Sequence, residues 1–334
     1  MPIALDAPEV RVPIERLPQA RVAPTDTLQD HDRVQPGTRA LLVAFVVFTL
    51  LAVNQLLVLG AYTDRYWAWP IPSRPSSAFL GAAYAAGTVL SVLALRQTRW
   101  SQIRVPVLTV TVFTVLTLIP TLLHRHRMNL MEHGFARTVA VVWIVVYLAV
   151  PVAGTLVVVR QSSGARLHPQ AIRRPMPRLL VAVLLAQGAA LTAVGAVLYA
   201  SGFMSHMAVA VARPGWPWPV TPLTGMAIGA WLLSFGIAIA LAIREGDLSR
   251  MLVPAVAYAA FGAVEVAVLL WQRGAPGIDQ LWVWVDAAVF ATMVPVGLYG
   301  AWGARGRANA RLRPARSRRS TKGPRSFVRQ ANQG

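Results

Sequence analysis

Eight stretches of this chain are continuously apolar and long enough to cross a bilayer, and no other feature narrows the possible folds as far. They cover residues 40–61, 77–95, 105–123, 138–160, 179–201, 222–243, 251–271 and 280–302. Each is near the ~20 residues with which a helix spans ~30 Å of hydrocarbon. The hydrophobicity is unbroken rather than alternating, so the segments predict helices and not barrel strands. Only 13% of residues are charged, against roughly 25% in soluble domains. A soluble globular domain, a disordered chain and a coiled coil are thereby excluded. The chain has no cysteine, which removes disulfides, thiolate metal sites and cysteine nucleophiles. The predicted fold class is an all-α membrane protein with eight transmembrane helices.

The formal net charge is +19, from 32 Lys and Arg against 13 Asp and Glu. Ten of the basic residues follow residue 304, where there is no acid, and most others sit in short gaps between apolar blocks. That placement fits the cytoplasmic margins of a membrane protein and argues against a nucleic-acid groove. Counted by side, 25 basic residues fall with the two termini and seven on the opposite side, which predicts both termini in the cytoplasm of a bacterial plasma-membrane protein. The expected organisation is a flexible N-terminal arm at 1–38 without a cleavable signal, membrane units at 39–160 and 179–303, a basic linker at 161–178, and a basic tail at 304–334. Beyond the bilayer itself, the tail predicts contact with anionic lipid headgroups, at about 1 kcal/mol per basic residue near the surface.

The two membrane units resemble one another. Trp67-Ala68-Trp69-Pro70-Ile71 recurs as Trp216-Pro217-Trp218-Pro219-Val220, offset by 149 residues. Ala94-Leu95-Arg96 matches Ala242-Ile243-Arg244 and Val105-Pro106 matches Val253-Pro254, both offset by 148, and Val150-Pro151-Val152 matches Val294-Pro295-Val296, offset by 144. A collinear series of this kind predicts two tandem four-helix repeats. Four helices is an even number, so the copies run parallel through the bilayer. Pro106 and Pro254 are expected at helix starts, Thr221-Pro222 as a cap with proline at the first helical position, and Pro151 and Pro295 inside their helices. Ser77 with Gly81, and Gly225 with Gly229, would let the second helix of each copy approach a neighbour closely. The Trp-x-Trp turns, Ala78-Phe79-Leu80-Gly81-Ala82-Ala83-Tyr84 and Trp216 through Gly229 resemble a group of uncharacterised actinobacterial multi-pass membrane proteins. That resemblance implies the architecture and brings no activity with it.

Polar residues inside the spans are few. Glu265 lies in the seventh span and Asp286 in the eighth, while Asn54 and Gln55 lie in the outer half of the first. An intramembrane carboxylate costs roughly 3 kcal/mol on insertion scales and is a functional candidate. A polar pocket formed by Asn54, Gln55, Glu265 and Asp286 is one expectation, and pairing of Glu265 with Arg273 is the structural alternative. The repeat places Thr117 at the position of Glu265. Gln187 and the other amides are expected to bond neighbouring helices. Trp67, Trp69, Trp216 and Trp218, with Trp271, Trp282 and Trp284, are expected to form an interfacial aromatic belt. The alternative for the two proline-bearing turns is stiff ledges that present aromatic faces to a lipid headgroup, peptide or sugar. His124, Arg125, His126, Glu132 and His133 form a basic loop without the spacing of a metal site. No catalytic constellation, cofactor motif or metal motif is present in the sequence. Two function classes lead: transporter-like handling of a small solute or lipid at a site between the repeats, and a non-catalytic scaffold or accessory subunit with a membrane protein partner. A membrane enzyme acting on lipid-linked substrates ranks third, for want of acid, base and metal constellations.

Overall fold

A computed structural model of the chain describes residues 32–166, 174–204, 216–272 and 281–305. Residues 1–31 of the predicted arm, 306–334 of the tail and most of the linker lie outside these residues, whereas 32–38 of the arm are described, with Asp32 bonded to Ser101 and Thr38 to Gln161. Eight long helices account for the spans, numbered here α1 (Pro36–Val53), α2 (Arg74–Leu95), α3 (Trp100–Leu123), α4 (Phe135–Arg166), α5 (Arg178–Met204), α6 (Pro222–Glu245), α7 (Leu252–Trp271) and α8 (Leu281–Arg305). All eight are long and apolar enough to cross a membrane. The described residues contain no strand; isolated bridges pair Arg33 with Arg99 and Pro175 with Asp247.

Helix boundaries follow local chemistry where a cap is available. Thr221 accepts a bond from the Thr224 amide with Pro222 opening α6, and Ser73 accepts from the Ser76 amide with Pro75 in the first turn of α2. Gly246, at φ 61, ends α6 in the left-handed conformation that a Cβ disfavours. Pro254 is at the start of α7 as expected. Pro106 is not at a helix start, because α3 already begins at Trp100. The reason is tertiary. Asp32 carboxylate oxygens accept from the Ser101 amide at 2.8 Å and its hydroxyl at 2.9 Å. A cap supplied from 69 residues upstream thus extends the helix by a turn past its proline. Pro151 and Pro295 lie inside α4 and α8.

The helices pack as an inner four and an outer four. Windows of α2, α3, α6 and α7 are 56–61% buried, against 17–33% for α1, α4, α5 and α8. Within residues 36–166 the close pairs are α1 with α2 and α3 with α4; within 178–305 they are α5 with α6 and α7 with α8. Across the two halves, α2 packs on α7 and α3 on α6. Moving four helices along the chain maps every one of these pairings onto another. The small-residue contacts behave the same way. A Cβ on Gly81 would meet Leu57 of α1's extension at 2.6 Å, and one on Gly229 would meet the Gly195 carbonyl oxygen of α5 at 2.7 Å. In each half the neighbour approached is therefore the preceding helix.

The ends near the chain termini, called here the terminal end, are joined alike. Val34 donates to the Thr98 carbonyl and Trp100 to that of Asp32; Met176 donates to Gly246 and Leu248 to Arg174. Arg104 also reaches across the halves, donating to Glu245 at 2.8 Å. The core between the halves is aromatic, with Phe113 stacked on Trp231 at 3.9 Å, Phe235 on Phe261 at 4.5 Å and Phe79 edge-on to Phe261 at 5.7 Å.

Candidate functional site

The opposite, or turn, end carries both Trp turns, and their tryptophans are not exposed. Trp67 and Trp69 are each 2% exposed, Trp216 7% and Trp218 6%. A headgroup belt requires open rings, so the belt expectation is corrected for these four. The indoles instead fasten the halves together. Trp69 Nε1 donates to Thr224 Oγ1 of α6 at 3.1 Å, and Trp218 Nε1 donates to Ser76 Oγ of α2 at 2.8 Å. Each turn thus binds the first turn of the other half's inner helix. Trp143 packs against Trp67 and Trp69 at 5.0 and 5.1 Å. Trp271 and Trp284 do remain exposed, and the side chain of Trp282 lies outside the described residues.

The space between the halves, expected to hold a site, is filled by the aromatic core. A void of about 30 Å³ lies there, and one of about 60 Å³ reaches from Leu90 and Thr109 into the second half beside Leu184 of α5 and Gly297 of α8; both are mainly apolar. They hold a few waters at most. The larger space lies inside the first half, between α1 and α4, as a cavity of about 310 Å³. Its walls include Phe48, Leu51 and Ala52 of α1 and Val142, Val146 and Val150 of α4. Its floor includes Trp67, Tyr84, Trp143 and Tyr147, the two phenols sharing a hydrogen bond of 2.8 Å. Phe48, Leu51 and Val142 are exposed on the outside of the helices, so the groove opens sideways, toward lipid.

Local structure and one amide on each half distinguish this space from the smaller void beside α5 and α8. Beside the groove α1 widens into a π-helical turn, Asn54–Val58, closed by Leu59 donating to the Asn54 carbonyl at 3.0 Å. Such turns recur at functional sites. At the terminal end Gln161 of α4 pins α1, accepting from Thr38 Oγ1 at 2.6 Å and donating to the Arg33 carbonyl at 3.0 Å. Among the described residues no such stitch closes the middle of this pair. In the second half Gln187 of α5 donates to Thr292 Oγ1 of α8 at 2.8 Å and accepts from the Tyr258 hydroxyl at 3.1 Å. Aligning Pro36 with Arg178, the first residues of α1 and α5, puts Phe45 at the position of Gln187. Phe45 has no polar head and lines the groove instead.

The turn end of the groove adjoins a polar vestibule of about 510 Å³ lined by Asp64, Arg65, Asn129, Glu132 and His133. Phe135 belongs to both spaces. Asn129 shapes the vestibule by donating from Nδ2 to the Asp64 and Trp67 carbonyls at 3.1 and 3.0 Å. His124, at the C-terminal cap of α3, is buried, and desolvation, with smaller help from His126, holds its imidazole below the ordinary range. Among the described residues no three His, Asp or Glu side chains converge as metal ligands.

The four residues of the predicted polar pocket are divided. Gln55 lines the α1–α4 groove, and Asn54 beside it is exposed. Glu265 and Asp286 are near enough to interact electrostatically, on the adjacent helices α7 and α8, and neither lines that groove. Arg273, the proposed partner of Glu265, lies outside the described residues. Tyr84 and Tyr147 were not singled out by sequence. The available signal was a mid-span tyrosine in one half whose repeat counterparts, Leu232 and Ala291, carry no hydroxyl. What the arrangement offers chemically is an apolar slot open to lipid, a phenol pair at its base and charged groups at its mouth. No family model matches the chain, and no curated protein or solved structure matches it either.

Proposed function

We propose that this multi-pass membrane protein takes an amphipathic, lipid-like molecule sideways from the bilayer, its apolar chain in the α1–α4 groove and its polar group in the adjoining vestibule. The observation that carries the reading is the groove itself, about 310 Å³ of space between helices that are otherwise stitched at their terminal end. That volume is at the lower end of ligand sites, and its apolar lining with few polar groups is typical of them. The shared Phe135 makes the two spaces neighbours, as an amphiphile requires. The filled interface between the halves speaks against a solute pathway along the axis. The proposal includes descent of the two halves by tandem duplication, for which the matched helix pairings, reciprocal indole bonds and paired terminal bridges are the support. It also places both termini in the cytoplasm, where the basic tail meets anionic lipid, and the vestibule in the outer leaflet.

The test is photo-crosslinking of the detergent-solubilised protein with a diazirine-bearing fatty acyl probe, located by peptide mass spectrometry. Adducts are expected on Phe48, Val142 or Val146. Val142→Trp, which fills the slot, should remove them, while Val145→Trp on the exposed face of the same helix should not. Equal labelling of the two variants refutes the site. A scaffold instead predicts a stoichiometric protein partner on purification and no probe retained in the groove.

A further inference from the structure

The second half carries a feature that the groove does not use. Glu265 is 1% exposed and its Oε1 has no hydrogen-bond partner. Asp286, partly buried on α8, is close enough to act on it electrostatically. The two helices cross tightly beside them, since a Cβ on Gly262 would meet Met293 Cβ at 2.9 Å as well as the Phe290 carbonyl oxygen. That leaves no room for a solvating shell one turn from either acid.

Nothing basic balances the pair among the described residues, where the ion pairs of Arg65, Arg104 and Arg250 go to Asp64, Glu245 and Asp247. The remaining ionisable groups on helices packed against α7 are elsewhere. On α2, Arg74 and Arg96 sit at the two ends and Tyr84 is bonded to Tyr147. On α3, Arg104 is held by Glu245 at the terminal end. On α8, Arg305 is at the far end, and on α7 itself Tyr258 donates to Gln187. A buried carboxyl without a hydrogen-bond partner, beside a second acid, resists joint ionisation with it, because burial and like charge both disfavour the charged form. Nor does the scaffold demand them. The repeat alignment places Thr117 and Val142 at these positions in the first half.

We propose that Glu265 and Asp286 form a proton-binding site that holds one proton on the buried Glu265 and exchanges it with the turn-end surface through the partly exposed Asp286. This site is separate from the groove and stands whether or not an amphiphile binds there.

The test is an infrared titration of the full-length protein in micelles, following the C=O band of protonated carboxyl. A protonated carboxyl is expected to persist at pH 7 and to disappear on further alkalinisation. Asp286→Asn removes the like charge and should move the midpoint down by about one pH unit or more. Dicyclohexylcarbodiimide, which reacts with protonated carboxyl groups in apolar surroundings, should mark Glu265 at pH 7, as read by peptide mass spectrometry. Absence of any protonated carboxyl at pH 7 would overturn the proposal, as would a midpoint unmoved by Asp286→Asn. Asp286→Ala repeats the second arm should the asparagine variant fail to fold.

Discussion

Replacing Trp218 by Phe tests whether the Trp turns are clasps between the halves. The substitution keeps an aromatic ring and deletes the Nε1–H that reaches Ser76 Oγ at 2.8 Å. Ser76 is 0% exposed, so its hydroxyl loses a partner where nothing replaces it. An orphaned buried polar group costs about 1–3 kcal/mol, whereas the net value of the bond itself is nearer 1 kcal/mol. Trp218→Phe also removes ring volume, and a double-mutant cycle with Ser76→Ala separates the two losses. The cycle should give a coupling of roughly 1 kcal/mol, measured by reversible denaturation in mixed micelles. The reciprocal bond from Trp69 should matter less, because Thr224 Oγ1 keeps a second partner, Thr221 Oγ1, at 2.9 Å. A coupling within about 0.3 kcal/mol of zero would refute the clasp and restore the interfacial belt.

Gly229→Ala drives a Cβ onto backbone atoms of α5, the Gly195 oxygen at 2.7 Å and the Tyr199 nitrogen at 2.9 Å, which cannot turn away. It should lower the thermal midpoint in micelles strongly, by an amount comparable to overpacking of about 1–3 kcal/mol. Gly87→Ala meets the Trp231 ring edge at 3.4 Å and the Thr49 methyl at 3.6 Å, both ordinary contacts, and should be nearly neutral. Burial holds the His124 imidazole below its ordinary value of 6.5, so the unfolded chain takes up this proton first as pH falls. Stability should be intact above pH 6.5 and decline below it, and His124→Gln should flatten that part of the profile.

Much of the candidate site was out of reach of sequence for identifiable reasons. Glu265 and Asp286 stood out as lone acids in apolar runs, and their proximity needed only that α7 and α8 be neighbours. The α1–α4 groove had no such marker. It exists because Phe45 stands where Gln187 ties α5 to α8 and because α1 loosens into a π turn at Asn54. Both are visible only once the two halves are compared in space. The Trp turns misled for a related cause. A tryptophan at the end of a span satisfies an interface and a buried clasp equally well, and only the partner hydroxyls of Ser76 and Thr224, more than 140 residues away in sequence, decide between them.

The sequence by itself determined eight helices, their approximate limits and the likeness between the two halves. Continuous hydrophobicity leaves the backbone no option but to satisfy its own hydrogen bonds in lipid, and that requirement is local. Tertiary structure alone decided where α3 starts, which tryptophans are covered and where the space lies. Those outcomes depend on the Asp32 cap, the reciprocal indole bonds and the amides that tie α4 and α5, all of them contacts between residues distant along the chain. Within lipid, helix association rests on packing and a few polar bonds rather than on hydrophobic burial, so the spans' apolarity carries little record of how they meet.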